Sequence, residues 1–165
     1  MRASLLFGGL AGILPARAET AITPALQDYA AGALGRLIEG ARERTIADGV
    51  RPIPPGVQRA LLGFFPSMLL QRTRYAIAAG SGALSLPTLA FSYGDADAIT
   101  LVDVVLFRNE HLAQTALTLW AHELTHVVQY QRWGTDGFAS RYVRDREGVE
   151  QEARDNAARF QAWRK

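Results

Sequence analysis

Two of the three histidines in this chain stand four residues apart, in His122-Glu123-Leu124-Thr125-His126. His-Glu-x-x-His is the pattern of a helix that binds zinc and carries a general base. Residues four apart on a helix share one face, about 6 Å apart along the axis, so both imidazoles can reach one cation. Glu123 sits at the edge of that face, where a carboxylate can take a proton from an attacking water. The sequence has no cysteine, which removes disulfides and thiolate sites and leaves His, Glu and Asp as the available metal ligands. A catalytic zinc site takes three protein ligands and keeps one position open. One helix face cannot enclose an ion, so the third ligand must come from elsewhere. Glu150 and Glu152 are the candidates: both flank the apolar stripe of the last helix, Glu150 nearer its centre.

The elements that must position these residues can be read from periodicity. Around the motif, Leu117, Trp120, Ala121, Leu124, Val127 and Val128 form one apolar stripe, with His122 and His126 roughly opposite its middle. That predicts a helix over 112–131 with a core side and a working side, ending before Gly134. Residues 138–142 read as a short helix. A last helix over 146–163 carries the stripe Val149, Ala153, Asn156, Ala157 and Phe160. Upstream, Thr23-Pro24 is an N-cap followed by proline at the first helical position, opening a helix to about Ala47. A second helical stretch, 56–71, must kink or divide at Pro66. Segments 73–79, 87–93 and 98–107 read as strands, the last two joined through a turn at Gly94-Asp95-Ala96-Asp97. Arg72 and Arg74 read as a solvated strand edge and His111 as a surface histidine.

Charge and the amino terminus bound the function class. The 165 residues suffice for one core. Met1-Arg2, the apolar run 5–14 and the A-x-A site at Ala16-Arg17-Ala18 form the pattern of a cleaved signal peptide over 1–18. The run is too short to span a membrane, so no stable membrane anchor is expected, and the mature protein is expected to be periplasmic or secreted. Without Arg2 and Arg17 the 18 basic residues become 16, equal to the 16 acids. A neutral balance argues against a nucleic-acid partner. The expected organisation is a signal peptide, an N-terminal helix over 19–51 and a catalytic domain over 52–165.

From about Pro52 to Ala157 the chain resembles the HExxH metallopeptidase domain of the extracellular contractile injection system core type, a gluzincin-like group. The residues that carry the resemblance are Ala121-His122-Glu123-Leu124-Thr125-His126-Val127-Val128-Gln129-Tyr130 and, less specifically, Val149-Glu150-Gln151-Glu152-Ala153. Asp97-Ala98-Ile99-Thr100-Leu101 is similar as well. The resemblance implies an α+β, zincin-like fold, with a small, mostly antiparallel sheet packed on the HExxH helix and flanked by further helices. It implies zinc held by His122, His126 and Glu150. It implies hydrolysis of a peptide or protein substrate by a zinc-activated water, with Glu123 as general base. Tyr130 and Tyr142 are candidate oxyanion donors. Related gluzincins often carry an aspartate four residues after the ligand glutamate, as a partner for a ligand histidine; here that position is Arg154. A second possibility, from another function class, is a zinc-binding assembly module without hydrolytic activity.

Overall fold

A computed structural model describes residues 23–78 and 96–165. Helix α1, Pro24–Asp48, begins as its cap predicts: the Thr23 side chain accepts a hydrogen bond from the Leu26 amide. A short strand β1, Arg51–Pro52, follows, and then two helices rather than one, α2 at Pro55–Leu61 and α3 at Ser67–Arg72. Pro66 is the residue just before α3, because its ring cannot occupy a helix interior. Strand β2 covers Arg74–Ile77, β3 Ala98–Leu101 and β4 Val104–Phe107. Helices α4, Glu110–Thr115, α5, Leu117–Arg144, and α6, Arg146–Trp163, complete the chain. The protein is α+β, mostly helical with a small sheet. Among the described residues no helix is long and apolar enough to cross a membrane.

The sheet order is β1-β2-β4-β3. The β1/β2 and β3/β4 pairs are antiparallel and β2/β4 is parallel. The expected single strand 98–107 is therefore a hairpin, with Leu101 opposite Val104 and only Val102 and Asp103 between them. Its aliphatic residues read as continuous because both strands are buried, which hides the turn from pattern reading. Val102 takes φ 61°, the positive value that a tight hairpin turn demands and that glycine normally supplies. The expected strand 87–93, the loop at Gly80-Ser81-Gly82, the first half of the 94–97 turn and the export signal lie outside the described residues.

One correction concerns the start of the motif helix. It does not begin at Leu112: the chain breaks at Ala116 between α4 and α5. Its end is as expected: at Gly134, φ 69° and ψ 173° interrupt the helical path, so α5 is two rods, 117–133 carrying the motif and 135–144 after it, the second longer than the short helix expected over 138–142. Asp145 caps the start of α6, its carboxylate accepting from the Gly148 amide at 2.9 Å. A Cβ on Gly148 would lie 2.2 Å from that carboxylate, so a larger residue there would displace the cap.

The core has two parts, one on each side of α5. The first holds Leu61, Leu70, Phe107, Trp120, Leu124 and Phe160, and the indole N–H of Trp120 donates to the Ala113 carbonyl at 2.8 Å. The second packs Leu34, Ile38 and Ala41 of α1 against Ile99, Tyr130, Phe138, Tyr142 and Val149. Burying one such aliphatic or aromatic side chain contributes about 1.5–3 kcal/mol, so α1 is part of the folded body. The guanidinium of Arg42 grips Asp103 at the hairpin tip, at 2.6 and 3.0 Å.

Candidate metal centre

Helix α5 carries His122 and His126 one turn apart, and α6, packed along it, brings Glu150 to the same point. The His122 and His126 Nε2 atoms lie 3.1 Å apart. Glu150 Oε2 lies 3.3 Å from the first and 3.7 Å from the second. Four ligands at about 2.0–2.1 Å in a tetrahedron sit about 3.3 Å from one another, so the triangle has the size of a metal's coordination face. The group is buried and its three ligand atoms converge. Glu150 Oε2 has no hydrogen-bond partner although it is buried, a costly arrangement that a cation at this point would relieve. The residues present therefore fit a metal ion. Glu152, the other carboxylate considered, is turned away, with its oxygens on Gln129 Nε2 and Arg132 Nη1, both at 3.0 Å.

The working side of the motif helix is itself buried. His122, His126 and Glu150 are each 3% exposed and Glu123 is fully buried. Thr100 on β3 donates from Oγ1 to Glu123 Oε2 at 2.7 Å, while Glu123 Oε1 is buried without a partner. On the ligand side, the Tyr142 hydroxyl donates to Glu150 Oε1 at 2.9 Å. That bond leaves Oε2 as the oxygen presented to the histidines.

The electrostatics follow from the crowding. Burial alone would raise the Glu150 carboxyl, but the imidazoles of His122 and His126 outweigh it and hold the group far below the usual carboxylate range. Burial works against a charged His126, yet Glu150 and Glu123 outweigh it and raise its pKa. Burial, reinforced by Glu150, keeps the Tyr142 phenol protonated well past neutral pH, and burial does the same for Tyr130. Both are thus neutral donors, and both are engaged: Tyr142 on Glu150, and Tyr130 on the Thr100 carbonyl at 3.5 Å.

Sequence reasoning brought together His122, Glu123, His126 and Glu150, and it missed two residues that hold them. Thr100 stood only inside the block 97–101 that is similar to the family, with no role attached to it. Gln129, fully buried, accepts through Oε1 from His126 Nδ1 at 2.8 Å. Its position three residues after His126 places it on the same helix face, a signal that could have found it. Arg154 pairs with Glu147 and Gln151, away from the site. Arg74 donates to the Gln71 and Thr73 carbonyls. His111 is exposed, its ring 3.5 Å from Thr115 Oγ1.

No curated protein and no solved structure matches the chain. The family model of the eCIS core domain matches residues 88–134, a stretch that includes Thr100, His122, Glu123, His126 and Gln129 but stops before Glu150. The match supports an eCIS-related domain built around the two histidines.

Proposed function

We propose that the protein is a zinc-dependent metallopeptidase. The observation that carries this reading is the convergence of His122 Nε2, His126 Nε2 and Glu150 Oε2 on one point, beside a carboxylate with one oxygen anchored and the other unpartnered. His122, His126 and Glu150 would hold the ion. Bound zinc would supply a Lewis acid that acidifies a water and polarises a peptide carbonyl. Glu123 accepts the proton of the attacking water at Oε1 and passes it to the leaving nitrogen as the C–O bond forms and the C–N bond breaks. Thr100 holds Glu123 Oε2, and Tyr142 holds Glu150 Oε1, so each carboxylate is oriented by a neutral hydroxyl. The test is metal content together with hydrolysis of a broad peptide library. Wild type should carry one zinc per chain and cleave. Glu123→Gln should keep the zinc and lose at least about 10²-fold in rate. Protein without stoichiometric zinc, or an unchanged rate in Glu123→Gln, overturns the proposal.

One observation favours the second reading, a metal-binding assembly module without turnover. All four site residues are buried, so a peptide must displace part of the structure to reach them. Zinc binding with no cleavage in wild type would select the module. Residues 1–18 support export to the periplasm or the exterior; mass spectrometry of secreted protein should find a chain starting near Glu19.

A further inference from the structure

Gln129 makes more polar contacts than filling space requires. Its side chain is fully buried. Nε2 donates to the Val149 carbonyl and to Glu152 Oε2, each at 3.0 Å, and Oε1 lies 2.8 Å from His126 Nδ1. Two oxygens around one end of the amide fix its orientation, because the reversed amide would set an acceptor against two acceptors. Oε1 therefore faces His126, and the hydrogen of that contact belongs to Nδ1. A neutral His126 with its hydrogen on Nδ1 has its lone pair on Nε2, the atom aimed at His122 and Glu150.

We propose that Gln129 is a positioning residue for the metal centre: it fixes the tautomer and ring plane of His126 and joins that histidine to the helix bearing Glu150. In many zinc sites a carboxylate or carbonyl takes the second hydrogen of a ligand histidine and makes the ligand more basic. Here a neutral amide occupies that position, and the carboxylate stands one step further out. Glu152 accepts from Gln129 while Arg132 holds its other oxygen at 3.0 Å. The order of contacts is Arg132, Glu152, Gln129, His126. The amide also binds the carbonyl of Val149, the residue just before Glu150, so one side chain sets the positions of ligands on both helices. Glu152 thus acts on the site through Gln129 rather than as a ligand.

The inference rests on the metal reading above, and its test separates the two. In metal-free wild type, in alkaline buffer, long-range nitrogen–proton NMR should show the neutral form of His126 protonated on Nδ1. Protonation on Nε2 overturns the role of Gln129, whether or not zinc binds. Gln129→Met keeps the length of the side chain and removes every hydrogen bond. With far-UV circular dichroism unchanged, it should weaken zinc affinity about 10–100-fold in competition with a chromogenic chelator and abolish the Nδ1 preference. The exchanged pair Gln129→Glu/Glu152→Gln restores an acceptor for His126 and a donor beside it, and should recover most of the affinity. Zinc affinity within about threefold of wild type in a folded Gln129→Met, well short of the loss typical for such partners, overturns the proposal. So does an exchanged pair no better than Gln129→Met. If Gln129→Met does not fold, the wild-type tautomer decides. Zinc that fails to bind wild type while His126 shows the Nδ1 hydrogen would sink the metal reading alone.

Discussion

The Thr100 hydroxyl donates to Glu123 Oε2 at 2.7 Å and lies 3.1 Å from the same residue's carbonyl oxygen. A strand thereby reaches across to the HExxH helix and fixes one oxygen of its carboxylate, leaving the other without a partner. Thr100→Val keeps the shape and removes the hydroxyl. It should leave zinc content unchanged and lower kcat by about 10-fold, a fraction of the full contribution of a general base. Loss of zinc in Thr100→Val would contradict this division of labour.

Glu150 and Glu152 are two residues apart in sequence and differ sharply in surroundings. Glu150→Ala should abolish stoichiometric zinc, while Glu152→Ala should retain it with weakened affinity. Zinc added to metal-free wild type should raise the melting temperature, since a ligand that binds only the folded state stabilises it. The same addition should do nothing for Glu150→Ala. Equal zinc contents in the two variants would be the wrong result.

The stability of the metal-free protein should depend on pH in two opposite ways. The Glu150 carboxyl is depressed below its ordinary 4.5, burial being outweighed by the two histidines. Its contribution is present above that value and is lost as pH falls through the depressed one. His126 is raised above its ordinary 6.5, burial being outweighed by Glu150 and Glu123. Its contribution is present below 6.5 and is lost as pH rises through the raised value. The two coincide between pH 4.5 and 6.5, where metal-free protein should be most stable. Protons and zinc compete for the same nitrogens, so the increment from zinc should grow above that window. Thermal melts with chelator and with zinc across the range would expose a pH-independent increment, the contrary outcome.

The β3–β4 turn offers a test of backbone strain. Val102 holds φ 61°, a left-handed value that costs a residue with a Cβ roughly 1–2 kcal/mol. Val102→Gly should relieve this, net of the chain entropy glycine adds when unfolded, and stabilise by roughly 0.5–1 kcal/mol. The melting temperature should rise by about 1–4 °C. A fall would mean that the packing of Val102 against the second core cluster outweighs the strain.

Local chemistry made much of this legible. Thr23-Pro24 opened a helix, Pro66 divided one, and the His122/His126 spacing with Glu150 located a site, because caps, prolines and i,i+4 faces act within one turn of chain. Contacts between elements were not legible. The 98–107 hairpin hid in an aliphatic run because its turn uses Val102 instead of glycine. The roles of Thr100 and Gln129 depend on which strand and helix lie against α5, and residue type does not encode that. The helical wheel placed the histidines away from the first core stripe correctly, yet it could not show that α1, β3 and α6 would build a second buried layer over them.

The histidines and the glutamate lie on opposite sides of the Gly134 kink, so an ion seated among them joins His126 to Glu150 and encircles the whole segment 135–144. In a chain without cysteine, lone pairs would then do the work of a disulfide: they would close a long loop and remove freedom from the unfolded ensemble. Such a fastening is insensitive to reductants and vulnerable to chelators. It also could not form until α6, which carries Glu150, has been made.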